Sequence, residues 1–285
     1  MFSVDEILIW DQEFPRSWLS KNSSKYLENL PESIPSVEWV WREMDRVWEQ
    51  CGLNNRLPLK NQPIGDFYSH PVWLMNGIFT QLDPVSSDHR SAIAKYLQQV
   101  GVKNVADYGG GFGELALAIT RAVSDAQVSI IEPYPSRLGI ERIAGDASIR
   151  ISSGLEPDCY DVAIAQDVLE HVDDPVELAW MIAGAVTSNG PTYGQVIFAN
   201  CFYPVIQCHL PSTFHLRHTF RWVMRAMGLR YLGVVKDAAH AQVFERIGPL
   251  DLSKARSAER LSRVIGPVLN VTYGIFLRIK HLMLR

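Results

Sequence analysis

The stretch VADYGGGFGELALAI, residues 105–119, constrains this chain more than any other. An apolar run meets an aspartate, then Gly109, Gly110, Gly111 and Gly113, then a glutamate that opens a new apolar-periodic segment. Glycine accepts left-handed backbone angles and lets a ligand approach the main chain, but it weakens regular elements. A plain strand-to-helix turn needs one or two glycines. Lys103 to Tyr108 reads as a short buried strand, and Glu114 to Val123 carries helical periodicity through Leu115, Ile119 and Ala122. Strand, glycine turn and helix start together form a cradle for a nucleotide-like ligand, with free backbone N–H groups pointing at it.

The segment around this cradle alternates in period. Strands are expected over 103–108, 127–132, 148–152, 160–165, 194–200, 229–236 and 241–247, and helices over 86–100, 113–124, 136–144, 175–187 and 219–227. Asp173-Asp174-Pro175 is a helix start, with an acidic cap followed by proline, and Thr219 is expected to cap the later helix in the same way. Such alternation implies an α/β doubly wound, mostly parallel seven-stranded sheet over 85–248. The last two strands have no helix between them, which implies an antiparallel hairpin at the sheet edge.

The flanks differ in composition. Residues 1–84 hold six of the eight tryptophans and seven Lys/Arg against twelve Asp/Glu. Val37 to Cys51 is amphipathic, and prolines punctuate the rest, so a helical cap or lid is expected rather than a sheet. Residues 249–285 form a basic tail, with seven Lys/Arg against two Asp/Glu from residue 251 on. The net charge of −4 gives no global field for nucleic acid. Cys51, Cys159, Cys201 and Cys208 show no paired zinc spacing, and the acidic start MFSVDEILIW is not a secretory signal, so a cytoplasmic setting is expected.

A dinucleotide fingerprint would need a third glycine where Glu114 stands, which disfavours a nicotinamide-dependent reductase. The pattern is D-x-G-x-G-x-G on Asp107, Gly109, Gly111 and Gly113. It resembles the first motif of the class I S-adenosylmethionine-dependent methyltransferases. Two further stretches carry the resemblance over residues 85–248: IIEPYP at 130–135 and YDVAIAQDVLEHVDDP at 160–175, the latter similar to the subgroup whose motif ends in Leu-Glu-His. The resemblance implies a Rossmann-like methyltransferase fold and S-adenosylmethionine as cofactor. It places the cofactor at Asp107, Tyr108, Gly109, Gly111 and Gly113, with the ribose on Glu132 beside Pro133. Gln166 and Asp167 would border its methionine part. The chain departs from many relatives at IRISSGLEP, where an acid that holds the adenine is missing. Ser152 or Ser153 must substitute, or Asp146 must reach.

Methyl transfer from a sulfonium needs an aligned, desolvated nucleophile, and an oxygen acceptor gains from a general base, most often histidine. The segment HLPSTFHLRHTF supplies His209, His215 and His218 just after the fifth strand. It resembles the histidine-containing segment of many relatives, and His215 or His218 is expected as base or substrate contact, with His171 a further candidate. Glu170 is expected only to begin a helix. Tyr68 and His70 are expected to close over the substrate from the N-terminal zone, with Trp73 packing. Asp167-x-x-Glu170-His171 with a distant histidine resembles the metal site of certain RNA 2′-O-methyltransferases. Those carry Glu at the Asp167 position, and spacing alone is weak evidence, so no metal is assigned.

The expected function is O-methylation of a small molecule or glycan. N- or C-methylation, or a catalytically silent partner subunit, are the alternatives. Over residues 264–285 a helix would set Arg278, His281 and Arg285 on one face, with Ile275, Phe276, Ile279, Leu282 and Met283 around much of the rest. Such a helix either docks on the core or on a second subunit of a homodimer, or lies in a membrane interface as a peripheral anchor.

Overall fold

The computed structural model describes residues 5–188 and 194–283, with side chains as far as Ile275. The chain opens on a hairpin, β1 (Glu6–Ile9) and β2 (Gln12–Pro15), paired from Glu6↔Pro15 to Ile9↔Gln12. This corrects the expectation of a purely helical cap. Its two-residue turn holds Trp10 and Asp11 at φ 47° and 65°. Both central residues of such a turn must be left-handed, which Asn-Gly normally supplies and Trp-Asp disguises. The Trp10 indole N–H donates to Pro31 O at 2.9 Å, and its ring stands edge-on to Phe79. Four helices follow: α1 (Lys21–Glu28), α2 (Val37–Gln50), α3 (Ile64–Tyr68) and α4 (Val72–Leu82). Val40, Val47, Trp48, Phe67 and Met75 close an apolar core among them, and Phe112, Leu138, Cys208 and Leu210 tie it to the rest of the chain.

The central segment runs α5 (Pro84–Val100), β3 (Asn104–Tyr108), α6 (Glu114–Ala122), β4 (Gln127–Ile131), α7 (Arg137–Ile143), β5 (Ile149–Ser152) and β6 (Val162–Gln166). It continues through α8 (Pro175–Ala185), β7 (Gln195–Ala199), α9 (Phe220–Met227), β8 (Leu229–Val235) and β9 (Ala238–Arg246). These elements match the expected strands and helices to within a few residues. The sheet order is β5-β4-β3-β6-β7-β9-β8. Strands β3 to β7 are parallel; β9 runs antiparallel to β7, and β8 pairs antiparallel on its far side. The expected edge hairpin is therefore present. From β3 the chain winds outward to β5, then returns to lay β6 against β3. That reversal opens a crevice at the carboxyl ends of β3 and β6, where open α/β sheets bind ligands.

The helix caps divide. Asp174 Oδ1 accepts from Glu177 N–H at 3.0 Å with Pro175 at the first helical position, as the sequence implies. Thr219 makes no such cap: its hydroxyl donates back to His215 O at 2.7 Å and meets Ser262, so tertiary contact wins over capping.

The tail is one long helix, α10 (Leu252–Met283), starting before the expected 264. It docks along one side. Arg256 pairs with Asp174 and Glu259, and Arg263 with Glu259 at 2.8 Å. Asn270 Nδ2 donates to Phe214 O at 3.1 Å. The opposite side leaves Val264, Val268, Val271 and Ile275 between 52 and 69% exposed. The side chains of Phe276, Arg278, Ile279, His281, Leu282, Met283 and Arg285, on which the expected faces also relied, lie outside the described ones.

Candidate active site

The glycine loop follows β3. Gly109, Gly111 and Gly113 all have positive φ. A Cβ at Gly109 would stand 2.6 Å from Val168 Cγ2, one at Gly110 would stand 2.5 Å from Asp107 Oδ2, and one at Gly113 would stand 2.7 Å from Ile143 Cγ2. Those three glycines are demanded by packing. Gly111 differs: it is exposed, and only Gly109 O, at 3.8 Å, lies near the place of its missing side chain. The loop therefore presents its open face at Gly111, followed by the start of α6.

Three acids surround this face. Glu132, at the end of β4, accepts from Gly111 N–H through Oε2 and from Tyr134 N–H through Oε1, both at 3.0 Å. Each oxygen keeps a lone pair for a ligand. Asp107 is 2% exposed, and its Oδ2 has no hydrogen-bond partner. Burial, with a smaller contribution from Glu132, pushes its pKa up to about 7. Asp167 is exposed just after β6, with φ 52°, and Gln166 Nε2 lies 3.5 Å from its Oδ2. A non-glycine residue held left-handed at a strand end is strain of the kind that functional sites retain. Tyr108 is half-buried at the end of β3, and Pro133 is exposed beside Glu132.

Beyond β5, Ser152 Oγ donates to Gly154 O, and Asp146 accepts from Ser148 N–H and Thr120 Oγ1. Both are engaged within their own turns. Ser153 is exposed.

The N-terminal helices supply one wall. The Tyr68 ring stacks on Tyr134 at 5.4 Å and 13°, and leans on Trp73 and Phe67. Burial raises its hydroxyl pKa well above the usual value, with Cys208, Tyr134, Glu132 and Glu170 adding to the rise. Tyr68 thus lies within electrostatic reach of both Glu132 and Glu170. His70 goes elsewhere. Its Nδ1 accepts from Val72 N–H at 3.0 Å, and its ring meets Tyr26 edge-on, in a separate cleft with Glu43 and Arg46. Two residues past the end of α3, it does not share the wall that Tyr68 builds.

The expected bases also divide. His215 is buried against the tail, with Nε2 3.5 Å from Glu259 Oε1. His218 is exposed, its ring 4.9 Å from that of Tyr273. Both contact α10. His171 instead meets His209 ring to ring at 4.8 Å, next to Glu170. Burial, then the neighbouring His209, lowers the His171 pKa to about 3, and burial lowers that of His209 too. Glu170 is fully buried; Oε1 accepts from Cys201 N–H at 2.6 Å, and burial with Asp167 nearby raises its pKa. Sequence reasoning passed over His209 and Glu170 as site residues. It also passed over Asn200, whose amide N and O are buried without partners at the end of β7. The one signal for Asn200 was a polar residue ending the apolar run VIFA.

No known protein-family profile matches the chain, and no curated protein matches it. Solved structures resemble it in layout. Mitomycin 7-O-methyltransferase MmcR is 18% identical over 74% of this chain and 68% of its own, with a TM-score of 0.44. N-methyltransferase NodS from Bradyrhizobium japonicum WM9, complexed with S-adenosylhomocysteine, is 12% identical over 58% of this chain and 89% of its own, at 0.42. Burkholderia thailandensis 1,6-didemethyltoxoflavin-N1-methyltransferase, with its substrate and S-adenosylhomocysteine bound, is 14% identical over 56% and 78%, at 0.43. At such distances a shared layout says nothing of a shared acceptor. The strand order, with one strand reversed between β7 and the edge, is itself that of the Rossmann-like methyltransferase fold.

Proposed function

We propose that the chain is an S-adenosylmethionine-dependent methyltransferase acting on an oxygen of a small-molecule or glycan acceptor. One observation carries the reading: Gly111 stands open at the sheet's reversal point, with its N–H on Glu132 and an unpartnered Asp107 oxygen below the same loop. Glu132, with a lone pair left on each oxygen, would hold the cofactor's ribose hydroxyls. The stacked Tyr68 and Tyr134 wall that end, and Ser153 is the remaining adenine contact. Gln166 and Asp167 face the methionine end. The positive sulfonium and ammonium suit a crevice rimmed by three carboxyl groups.

When bound, the cofactor would supply an activated methyl group: an acceptor oxygen attacking in line with the carbon–sulfur bond would take the methyl, and the bonding pair would stay on sulfur as a neutral thioether. The acceptor proton would leave to a base, and His171 Nδ1, unpartnered in the turn after β6, fits that role better than His215, whose Nε2 is also unpartnered but faces Glu259 of α10, or His218, whose ring lies against Tyr273 of α10. The exposed stripe of α10 supports peripheral contact with a membrane face. Among the described residues, no helix is long and apolar enough to cross a membrane.

Calorimetric titration tests the cofactor: S-adenosylmethionine and S-adenosylhomocysteine bind, and NADH does not. His171→Ala then lowers turnover by ~10²–10⁴-fold with cofactor affinity unchanged. A chain that ignores both sulfur ligands is not this enzyme.

A further inference from the structure

We propose that Glu170, His171 and His209 hold a divalent transition-metal ion. One ligand atom from each lies within 4.8 Å of the other two. Sheet and loop bring them together: Glu170 and His171 sit in the turn after β6, and His209 sits beyond β7. The Leu210 N–H donates to Glu170 O at 2.9 Å and locks one segment to the other.

Each side chain is held from behind, and Glu170 and His171 each leave a buried inward atom without a partner. Glu170 Oε1 takes the Cys201 N–H, and Oε2 has no partner although the residue is fully buried. The His171 ring contacts the Cys208 main chain, and its buried Nδ1 has no partner. His209 Nδ1 lies 3.1 Å from Tyr203 O. With Nδ1 donating there, Nε2 carries the lone pair. Buried polar atoms without partners are costly and rare. An ion whose ligands are oriented by outer hydrogen bonds satisfies them at once.

Two imidazoles and one carboxylate are the donor set of open zinc, cobalt, manganese or iron(II) sites, which keep positions for water or substrate. Asp167, exposed and within electrostatic reach of Glu170 and His209, lies toward the cofactor crevice. Binding of the ion does not depend on methyl transfer; only its role rests on that reading. In that role the ion replaces His171 as the activator of the acceptor, because the Nδ1 lone pair then binds the ion and no longer takes the proton: the ion would accept the acceptor hydroxyl as a further ligand and lower its pKa, and the proton would pass to solvent. The alkoxide then attacks the methyl carbon, and sulfur keeps the bonding pair.

The test titrates Co²⁺ into chelator-treated full-length protein and follows visible d–d absorption, with S-adenosylhomocysteine calorimetry run beside it. The expected result is about one ion per chain. His209→Asn keeps a donor for Tyr203 O and deletes Nε2; Glu170→Gln keeps the shape and removes the charge. Losing a group that only orients a metal ligand costs ~10–100-fold in affinity, so each of these changes, which removes a ligand atom or its charge, weakens Co²⁺ by ~100-fold or more. His215→Ala leaves it unchanged. Circular dichroism checks folding, and His209→Asn decides if Glu170→Gln does not fold. Absence of Co²⁺ binding, or binding untouched by His209→Asn, overturns the proposal. Thioether binding without Co²⁺ binding sinks the ion alone, and the reverse sinks the methyltransferase reading alone.

Discussion

The Gly111 N–H donates to the Glu132 carboxylate at 3.0 Å, so the open point of the glycine loop and the acid at the end of β4 form one unit. Glu132 does two jobs: it shapes the loop and offers its remaining lone pairs outward. Glu132→Ala removes both, and S-adenosylmethionine affinity falls by about 1–3 kcal/mol, the cost of stranding hydrogen bonds to a charged group. Glu132→Gln keeps one acceptor and loses less. Calorimetry on folded variants checks the order, and equal affinities in all three chains would refute the ribose assignment.

The glycines separate in the same way. Gly111 is left-handed and open, so Gly111→Ala strains the backbone by about 1–2 kcal/mol and displaces cofactor without preventing folding. At Gly113, φ is +82° and a Cβ would stand 2.7 Å from Ile143 Cγ2. Gly113→Ala therefore adds overpacking to strain, at about 2–4 kcal/mol. Urea midpoints separate the two: Gly113→Ala shows the larger loss of stability, and Gly111→Ala the larger loss of binding relative to its stability. The opposite order would move the ligand away from Gly111.

Asp107 makes stability depend on pH. Its pKa is about 7 in the folded chain, through burial and then Glu132, against ~3.9 for an unperturbed aspartate. Between those values the native state holds a proton that the unfolded chain has released. Stability attributable to Asp107 therefore falls as pH rises through that window, by up to ~1.4 kcal/mol per unit. Asp107→Asn removes this slope, so the difference in stability between wild type and variant shrinks or reverses from pH 4 to pH 7. Parallel curves would show that Asp107 does not carry the proton.

His215 and Glu259 join the tail to the loop after β7. Burial favours protonation of Glu259, but the His215 ring 3.5 Å away and the hydrogen bonds from Arg256 and Arg263 outweigh it and lower the pKa to about 2. Its contribution to stability is present above the ordinary glutamate value and is lost as pH falls toward 2. Breaking a buried ionic group costs stability, so Glu259→Gln loses about 2–4 kcal/mol. His215→Ala lowers the melting temperature while retaining turnover. A stable His215→Ala protein with turnover down by ~10²-fold would return His215 to the role of base.

Much of this was legible in the chain. Short continuous apolar runs ended by Gly109 and Glu132, and the Asp174-Pro175 cap, mark local structure that packing does not override. Four things were not legible. Trp10-Asp11 carries a hairpin turn without the residues that normally announce it. Thr219 has cap chemistry, yet His215 O and Ser262 claim its hydroxyl. The choice among His209, His215 and His218 depends on which face of one loop meets α10, and that is decided by contacts some fifty residues away in sequence. Asn200 and Glu170 read as strand end and helix start until burial shows their atoms unpartnered.

The outer face of α10 yields the last prediction. Val264, Val268, Val271 and Ile275 recur at i, i+4, i+7 and i+11, a helical stripe, and all are more than half exposed. The docked side, through Asn270 to Phe214 and the Arg256 and Arg263 pairs, holds the helix while this stripe faces out. Those pairs also engage cations that would otherwise serve anionic lipid, so the apolar stripe is the larger contribution to any interface binding. The full chain is expected to co-sediment with anionic liposomes. The quadruple change Val264→Ser, Val268→Ser, Val271→Ser and Ile275→Ser abolishes that while leaving the melting temperature near wild type, because none of the four lies on the docked side. Salt reduces binding only in part, since screening acts on the ionic share alone. If liposomes are ignored and the same quadruple change instead splits a dimer in sedimentation analysis, the stripe is a subunit interface and the membrane reading fails.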